Sequence, residues 1–171
     1  YIARTLLRDG LLFYNDNENK KALKNYKEIV AKYPNSSEAK EAVTNAKNVY
    51  IDLGTIDEYA EWAKGISFIN ITDAELDNTT YESAENKFLA NDVPKAISGF
   101  KKYMLAFPEG LHALQANFYL AQLLVKTGSE KEAIPNYQYV IDQPQSEYSE
   151  QALNMLSQIL LEEEKWVIAI P

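Results

Sequence analysis

The chain contains no cysteine. Disulfides and thiolate metal sites are thereby excluded, while the compartment stays open, because reducing and oxidising surroundings both tolerate such a chain. Histidine is almost absent as well, with His112 standing alone. A lone histidine lacks partners for acid–base or metal chemistry, and its place just after Gly110 suits a surface or helix-capping role. No apolar run approaches the ~20 residues that a membrane span needs, and the opening residues do not have the makeup of a signal peptide. No phosphate-cradling glycine loop and no metal-ligand spacing occurs. Basic residues are in deficit, 17 against 25 acidic, for a net charge of −8 and a pI of about 4.8. The acidic residues are spread along the chain, which reads as a solvated surface and argues against nucleic acid or anionic membrane as partners.

What is present is a folded composition, 46% hydrophobic and 25% charged, in 171 residues. That length suits one ordinary domain. Apolar residues recur every three or four positions, the period of helices with one buried face. The first expected helix carries Leu7, Leu11, Leu12 and Tyr14. The second carries Ala22, Tyr26, Ile29 and Val30, and ends at Tyr33-Pro34, because proline cannot continue a helix. Asn35-Ser36-Ser37-Glu38 offers a capping residue with a glutamate three positions on, and Ser129-Glu130-Lys131-Glu132 does the same later. Gly54 is placed to close a helix in the left-handed conformation.

A second, longer period lies over the first. Ala22, Ala96 and Ala133 fall on a ladder of 37 residues, with Tyr59 on the rung between. Four residues after each stand Tyr26, Ala63, Phe100 and Tyr137, and the turn residues Asn17, Gly54, Asn91 and Gly128 keep the same step. Ala169 follows one residue early. Such a period marks a stacked repeat array in which no helix pair buries its apolar face alone. The rung at Tyr59 is irregular: a small residue is expected there, and Ala60 offers a second register. Segment Ile66 to Asp73 is strand-like but too brief for a sheet, so an irregular connection is expected. Pro135 falls about two turns into a helix, where a lost backbone bond costs ~3 kcal/mol if nothing compensates; a bend is expected there.

These marks resemble the tetratricopeptide repeat, a helix–turn–helix unit. The residues carrying the likeness are Gly10, Ala22, Tyr26 and Pro34; Ala84, Ala96, Phe100 and Pro108; and Ala121, Gly128, Ala133 and Tyr137. The resemblance implies an all-α, right-handed solenoid of about five helix pairs, spanning approximately residues 3–36, 37–73, 77–110, 111–147 and an incomplete 148–171. Both ends of the chain read as lying inside a longer repeat protein, so further repeats are expected. Leu76 to Glu85 and Phe107-Pro108-Glu109-Gly110 are similar to the large multi-repeat proteins of Bacteroidetes. Tyr33 to Ala39 resembles linkers of envelope repeat proteins. That likeness implies a periplasmic or outer-membrane-associated location and protein or peptide partners.

By the family's geometry the first helices of the pairs would line a concave face. Its exposed positions would be Thr44, Asn48, Asn78, Tyr81, Glu85, Gln115, Phe118, Gln122, Asn154 and Gln158. This amide-rich strip with two aromatics suits an extended peptide backbone; the plainer alternative is a solvent-facing surface without a ligand. A carboxylate clamp of the kind some relatives use is not supported, since Leu7, Leu11 and Thr44 occupy its places and only Asn48 matches. Glu162-Glu163-Glu164 reads as a solvated face, and Trp62 and Trp166 as packing residues. No catalytic residue, cofactor or metal is expected. The function implied is a non-catalytic protein-interaction scaffold; the alternative is an architectural spacer within a long repeat protein.

Overall fold

The computed structural model describes residues 1–169, with side chains described as far as Glu162. Expectations that rest on Glu163, Glu164, Trp166, Ala169, Ile170 and Pro171 lie outside the described residues. The described residues form nine α-helices and no strand: α1 (Ile2–Asn15), α2 (Asn19–Lys32), α3 (Ser37–Leu53), α4 (Ile56–Lys64), α5 (Asp73–Leu89), α6 (Val93–Ala106), α7 (Ala113–Lys126), α8 (Glu130–Asp142) and α9 (Ser149–Ala169). The all-α repeat class expected from the two periods is the observed one. The chain divides into two compact units, Tyr1–Ser83 and Ala84–Pro171, with the division inside α5.

The long period has a conformational counterpart. The four turn residues that recur at its interval are Asn17, Gly54, Asn91 and Gly128, with φ of 60°, 71°, 57° and 77°. All four are therefore left-handed, a conformation that glycine adopts without penalty and asparagine tolerates better than most residues. Each helix pair is turned by the same backbone device, written with two residue types.

Two of the expected caps form differently. The N-cap of α3 is Ser36, whose hydroxyl accepts from the Ala39 N–H at 3.1 Å. Asn35 was the expected residue. The Tyr33-Pro34 turn holds the Ser36 N–H on the Tyr33 carbonyl and delivers Ser36 in the extended conformation that an N-cap requires. The capping box at Ser129 does not close, and the Ser129 side chain makes no capping bond. Its intended partner Glu132 reaches instead to Lys101 of α6, at 3.0 Å. Helix α8 runs on through Pro135 to Asp142 without a break.

In the unit Tyr1–Ser83, α1 packs on α2 and α3, α2 on α3, and α3 on α4. Tyr26 is fully buried in this unit, its ring lying against Gly10 of α1. A Cβ on Gly10 would stand 2.5 Å from the Tyr26 Cε1, so only glycine admits the ring at this approach. Leu11 and Leu12, expected on the buried side, are exposed, and Leu7 carries that face. The register ambiguity at the second rung is resolved by burial. Tyr59 and Ala63 are both buried, whereas Ala60 is half-buried and Lys64 exposed. The 37-residue step therefore holds, and the small and large residues have changed places. An Ala–Tyr pair and a Tyr–Ala pair fill the same total volume, the kind of exchange a core accepts with repacking. Tyr59 closes a cluster with Tyr50 and Trp62, ring centroids 6.0 to 6.4 Å apart. The Lys27 ammonium lies 5.6 Å from the Tyr50 ring and 5.7 Å from the Trp62 ring, within cation–π range. Trp62 is thus the packing residue expected.

In the unit Ala84–Pro171, α6 packs on α7, α7 on α8, and α8 on α9. Ala84 meets Gly99 so closely that a Cβ on the glycine would stand 2.9 Å from the alanine Cβ. A continuous set of rings forms the core: Phe88 stacks on Tyr119 at 4.7 Å, and Phe118 lies 4.7 Å from Tyr148 and 6.4 Å from Tyr137.

Candidate functional site

The ten expected surface positions separate into three groups. Thr44 and Asn48 on α3, Asn78 on α5, and Asn154 and Gln158 on α9 are exposed. Glu85, Gln115 and Gln122 are half-buried. Tyr81 and Phe118 are buried, at 6% and 3% exposure, and cannot present ring faces to a ligand as expected. The reason at Phe118 is its ring environment: Tyr119, Tyr137 and Tyr148 surround it, so the side chain belongs to the core of its unit. Asn154 and Gln158 occupy the repeat positions of Asn117 and Ala121, which are buried in α7 but exposed in α9. The strip is therefore not one repeated surface.

Two of the ten positions, Thr44 and Asn48, do share a cavity. Within the first unit, α3, the start of α5 and the connection between α4 and α5 enclose a cleft of about 380 Å³. The connection, residues 65–72, is irregular as expected. Its buried Ile66 anchors it to the core, and half-buried Phe68 and Ile69 form a wall of the cleft beside Asn70. The Thr72 hydroxyl then accepts from the Glu75 N–H at 3.2 Å and starts α5. Ser83 fixes α5 to α3 by donating its hydroxyl to the Ile51 carbonyl at 2.8 Å.

The floor is apolar, made by Val43, Ile51 and Tyr59. Burial, and after it the Glu75 carboxylate, push the Tyr59 hydroxyl up to about 12, so it stays protonated and neutral. Lys47 of α3 bridges to Glu75 of α5 at 3.3 Å and ties the two walls together. The Thr44 hydroxyl is turned back onto the Lys40 carbonyl of its own helix. By contrast, the amides of Asn48 and Asn70 have no hydrogen-bond partner among the described residues, nor do the charged ends of Lys40 and Glu82. All four residues line this cleft. Sequence reasoning missed the walls formed by Phe68, Ile69, Asn70, Glu75 and Glu82. The signal available was the break in periodicity at this connection, which departs from the repeat and so escapes a template drawn from it.

His112 takes the N-cap position of α7, but its side chain makes no capping bond. Its backbone N–H donates to the Tyr103 hydroxyl at 2.9 Å and its ring stands edge-on to that tyrosine. Among the described residues no group of three or more histidine, aspartate or glutamate side chains is placed to hold a metal ion. None of the described helices is long and apolar enough to cross a membrane.

The fold and cleft define a helical-repeat protein, and comparison with known families refines this for one unit. Residues 4–36, covering α1, α2 and the turn that follows, match the tetratricopeptide repeat family. Repeats of this family are in general non-catalytic protein-interaction units. No curated protein sequence matches the chain. Among solved structures, MamA is similar at 17% identity, over 92% of this chain and 96% of that one, with a TM-score of 0.40. TPR-like repeats from a candidate kinesin light chain of Podosopora anserina are similar at 12% identity, over 96% of this chain and 89% of that one, with a TM-score of 0.43.

Proposed function

We propose that this chain is a protein-interaction scaffold whose first unit holds an extended peptide segment in the cleft between α3, residues 68–70 and α5. The observation that carries this reading is the pair of unengaged amides, Asn48 and Asn70, at the rim of an apolar floor. Each residue of an extended peptide presents one N–H and one C=O. A carboxamide offers both a donor and an acceptor, so two of them can satisfy such a backbone without demanding a charge. Val43, Ile51 and Tyr59 would take one apolar side chain of the guest, beside the Lys47–Glu75 bridge that ties the two walls together.

Peptides selected on the wild-type chain from a displayed random library supply the test. They should lose at least about tenfold in affinity for Asn48→Ala/Asn70→Ala, the loss of about two hydrogen bonds, and should bind Asn154→Ala unchanged. Equal binding to wild type and the double variant would refute the assignment.

The second unit supports a different role. Its expected aromatic contact, Phe118, is spent on internal packing, which favours an architectural part that spaces and stiffens. A periplasmic or outer-membrane-associated location is part of the same proposal. It rests on the likeness of Tyr33 to Ala39 to envelope linkers, and fractionation of cells making the full protein would test it.

A further inference from the structure

The cleft between α3, the α4–α5 connection and α5 is neutral in sum but not along its length. Its charged lining residues are Lys40 and Lys47 on α3 and Glu75 and Glu82 on α5. Lys47 and Glu75 bridge at 3.3 Å and answer each other. Lys40 and Glu82 are exposed, and their charged ends stand without a partner among the described residues. The sequence gives the reason. Ion pairs elsewhere in the chain join residues three or four apart on one helix, as in Lys32–Glu28 and Lys64–Glu61. At those distances from Glu82 on α5 stand Asn78, Thr79, Glu85 and Asn86, and from Lys40 they are Ser36, Ser37, Val43 and Thr44. Neither charge has a counter-charge within reach on its own helix.

The two lie toward opposite ends of the cleft. Lys40 belongs to the first turn of α3 and Ile51 to its last, about 16 Å apart along the axis at 1.5 Å per residue. Glu82 is next to Ser83, whose hydroxyl donates to the Ile51 carbonyl at 2.8 Å. That end also takes the negative pole of the α3 macrodipole, while Lys40 stands toward the positive pole. Fixed charge and helix dipole therefore agree in sign at each end.

From this polarity we infer that the guest of the cleft is a peptide bearing a lysine or arginine, its cationic end held by Glu82 near the C-terminus of α3. This specificity rests on the peptide reading above and adds to it the charge of the guest. Alternate residues of an extended chain lie on one edge about 6.6–6.8 Å apart. An apolar side chain on the floor of Val43, Ile51 and Tyr59 thus carries the side chain two positions away toward Glu82. Seated the other way round, the cation meets Lys40. Discrimination is a difference of affinities, so that repulsion sets the direction as much as the attraction does.

The probe is a pentapeptide of the order serine–leucine–serine–lysine–serine, with a neutral fluorophore on its N-terminus and an amide at its C-terminus, so that the lysine is its only charge. The reversed order, serine–lysine–serine–leucine–serine, covers the opposite chain direction. In anisotropy on the 171-residue chain at low ionic strength, one of the two orders should bind about two- to fivefold more tightly than its glutamine-for-lysine counterpart, the range of an exposed ion pair. Glu82→Gln should remove that preference, and Glu82→Lys should reverse it toward a glutamate-for-lysine peptide. Lys40→Gln should leave the lysine peptide bound as well or better. Each preference is a ratio of two peptides on one protein, so a variant that folds less completely still reports it. Equal binding of the lysine and glutamine peptides by the wild-type chain, or a preference that survives Glu82→Gln, overturns the inference. If both peptides then still weaken in Asn48→Ala/Asn70→Ala, the cleft proposed above stands without a charge preference. If no peptide binds at about 1 mM, both fall.

Discussion

Replacing Gly10 by alanine sets two effects of opposite sign against each other. In the middle of α1, alanine is the better helix former by about 1 kcal/mol. The new Cβ, however, would stand 2.5 Å from the Tyr26 Cε1 and 3.1 Å from Cδ1 and Cζ. Carbon atoms in contact rest at about 3.5–4.0 Å, so the ring must retreat by roughly 1 Å. Tyr26 is fully buried among Ile29, Val30 and the residues of α3, which leaves it no free volume to retreat into. Overpacking of this kind costs about 1–3 kcal/mol. The net expectation is a loss of up to about 2 kcal/mol, a fall in melting temperature of up to roughly 8 °C for a chain of this size. Thermal and urea unfolding followed by circular dichroism measure it. In a Tyr26→Leu background the penalty should vanish and the helix-forming gain should emerge, giving a coupling of at least about 1 kcal/mol. A Gly10→Ala protein that melts higher than wild type would refute the close approach.

Other consequences follow from the same packing. Gly54→Ala and Gly128→Ala should each cost about 1–2 kcal/mol, because both residues are left-handed, whereas Asn17→Gly should be neutral or stabilising; equilibrium unfolding of the set decides. The Tyr26 and Tyr137 hydroxyls are buried without partners among the described residues. Tyr26→Phe and Tyr137→Phe should therefore retain stability to within about 1 kcal/mol or gain it, as Phe100 at the same repeat position suggests. Tyr26 and Tyr59 are raised to about 12, chiefly by burial. The unfolded chain releases these protons first, so their contribution is complete below pH 10 and is lost as pH rises through 12; a Tyr26→Phe/Tyr59→Phe protein should show a shallower alkaline loss of melting temperature. Pro135→Ala, inside α8 and exposed, should raise stability by as much as about 3 kcal/mol, read from the urea midpoint.

Much of the architecture was legible because two periods of different length overlap. The short one located the helices, and the long one located the turns. Asn17, Gly54, Asn91 and Gly128 share one backbone conformation because the same turn is needed each time. The irregular rung at Tyr59 was legible only as an irregularity. Sequence alone cannot distinguish a shifted register from an exchange of large for small, since that depends on which side chains end up enclosed. The site was less legible. Phe118 and Tyr81 fall on the expected face by spacing, yet aromatic rings stay at a surface only where nothing apolar lies within reach, and at Phe118 three tyrosines do. Asn48 and Thr44 were found because the regular part of the pattern leads to them. Asn70 and Phe68 were not, because they stand in the connection where the pattern stops.

Nuclear magnetic resonance with a selected peptide tests the central functional claim most directly. On titration, the side-chain amide signals of Asn48 and Asn70 should shift together and saturate at one equivalent, while those of Asn154 and Gln158 stay in place. Shifts confined to Asn154 and Gln158, or saturation without movement of Asn48 and Asn70, would contradict it.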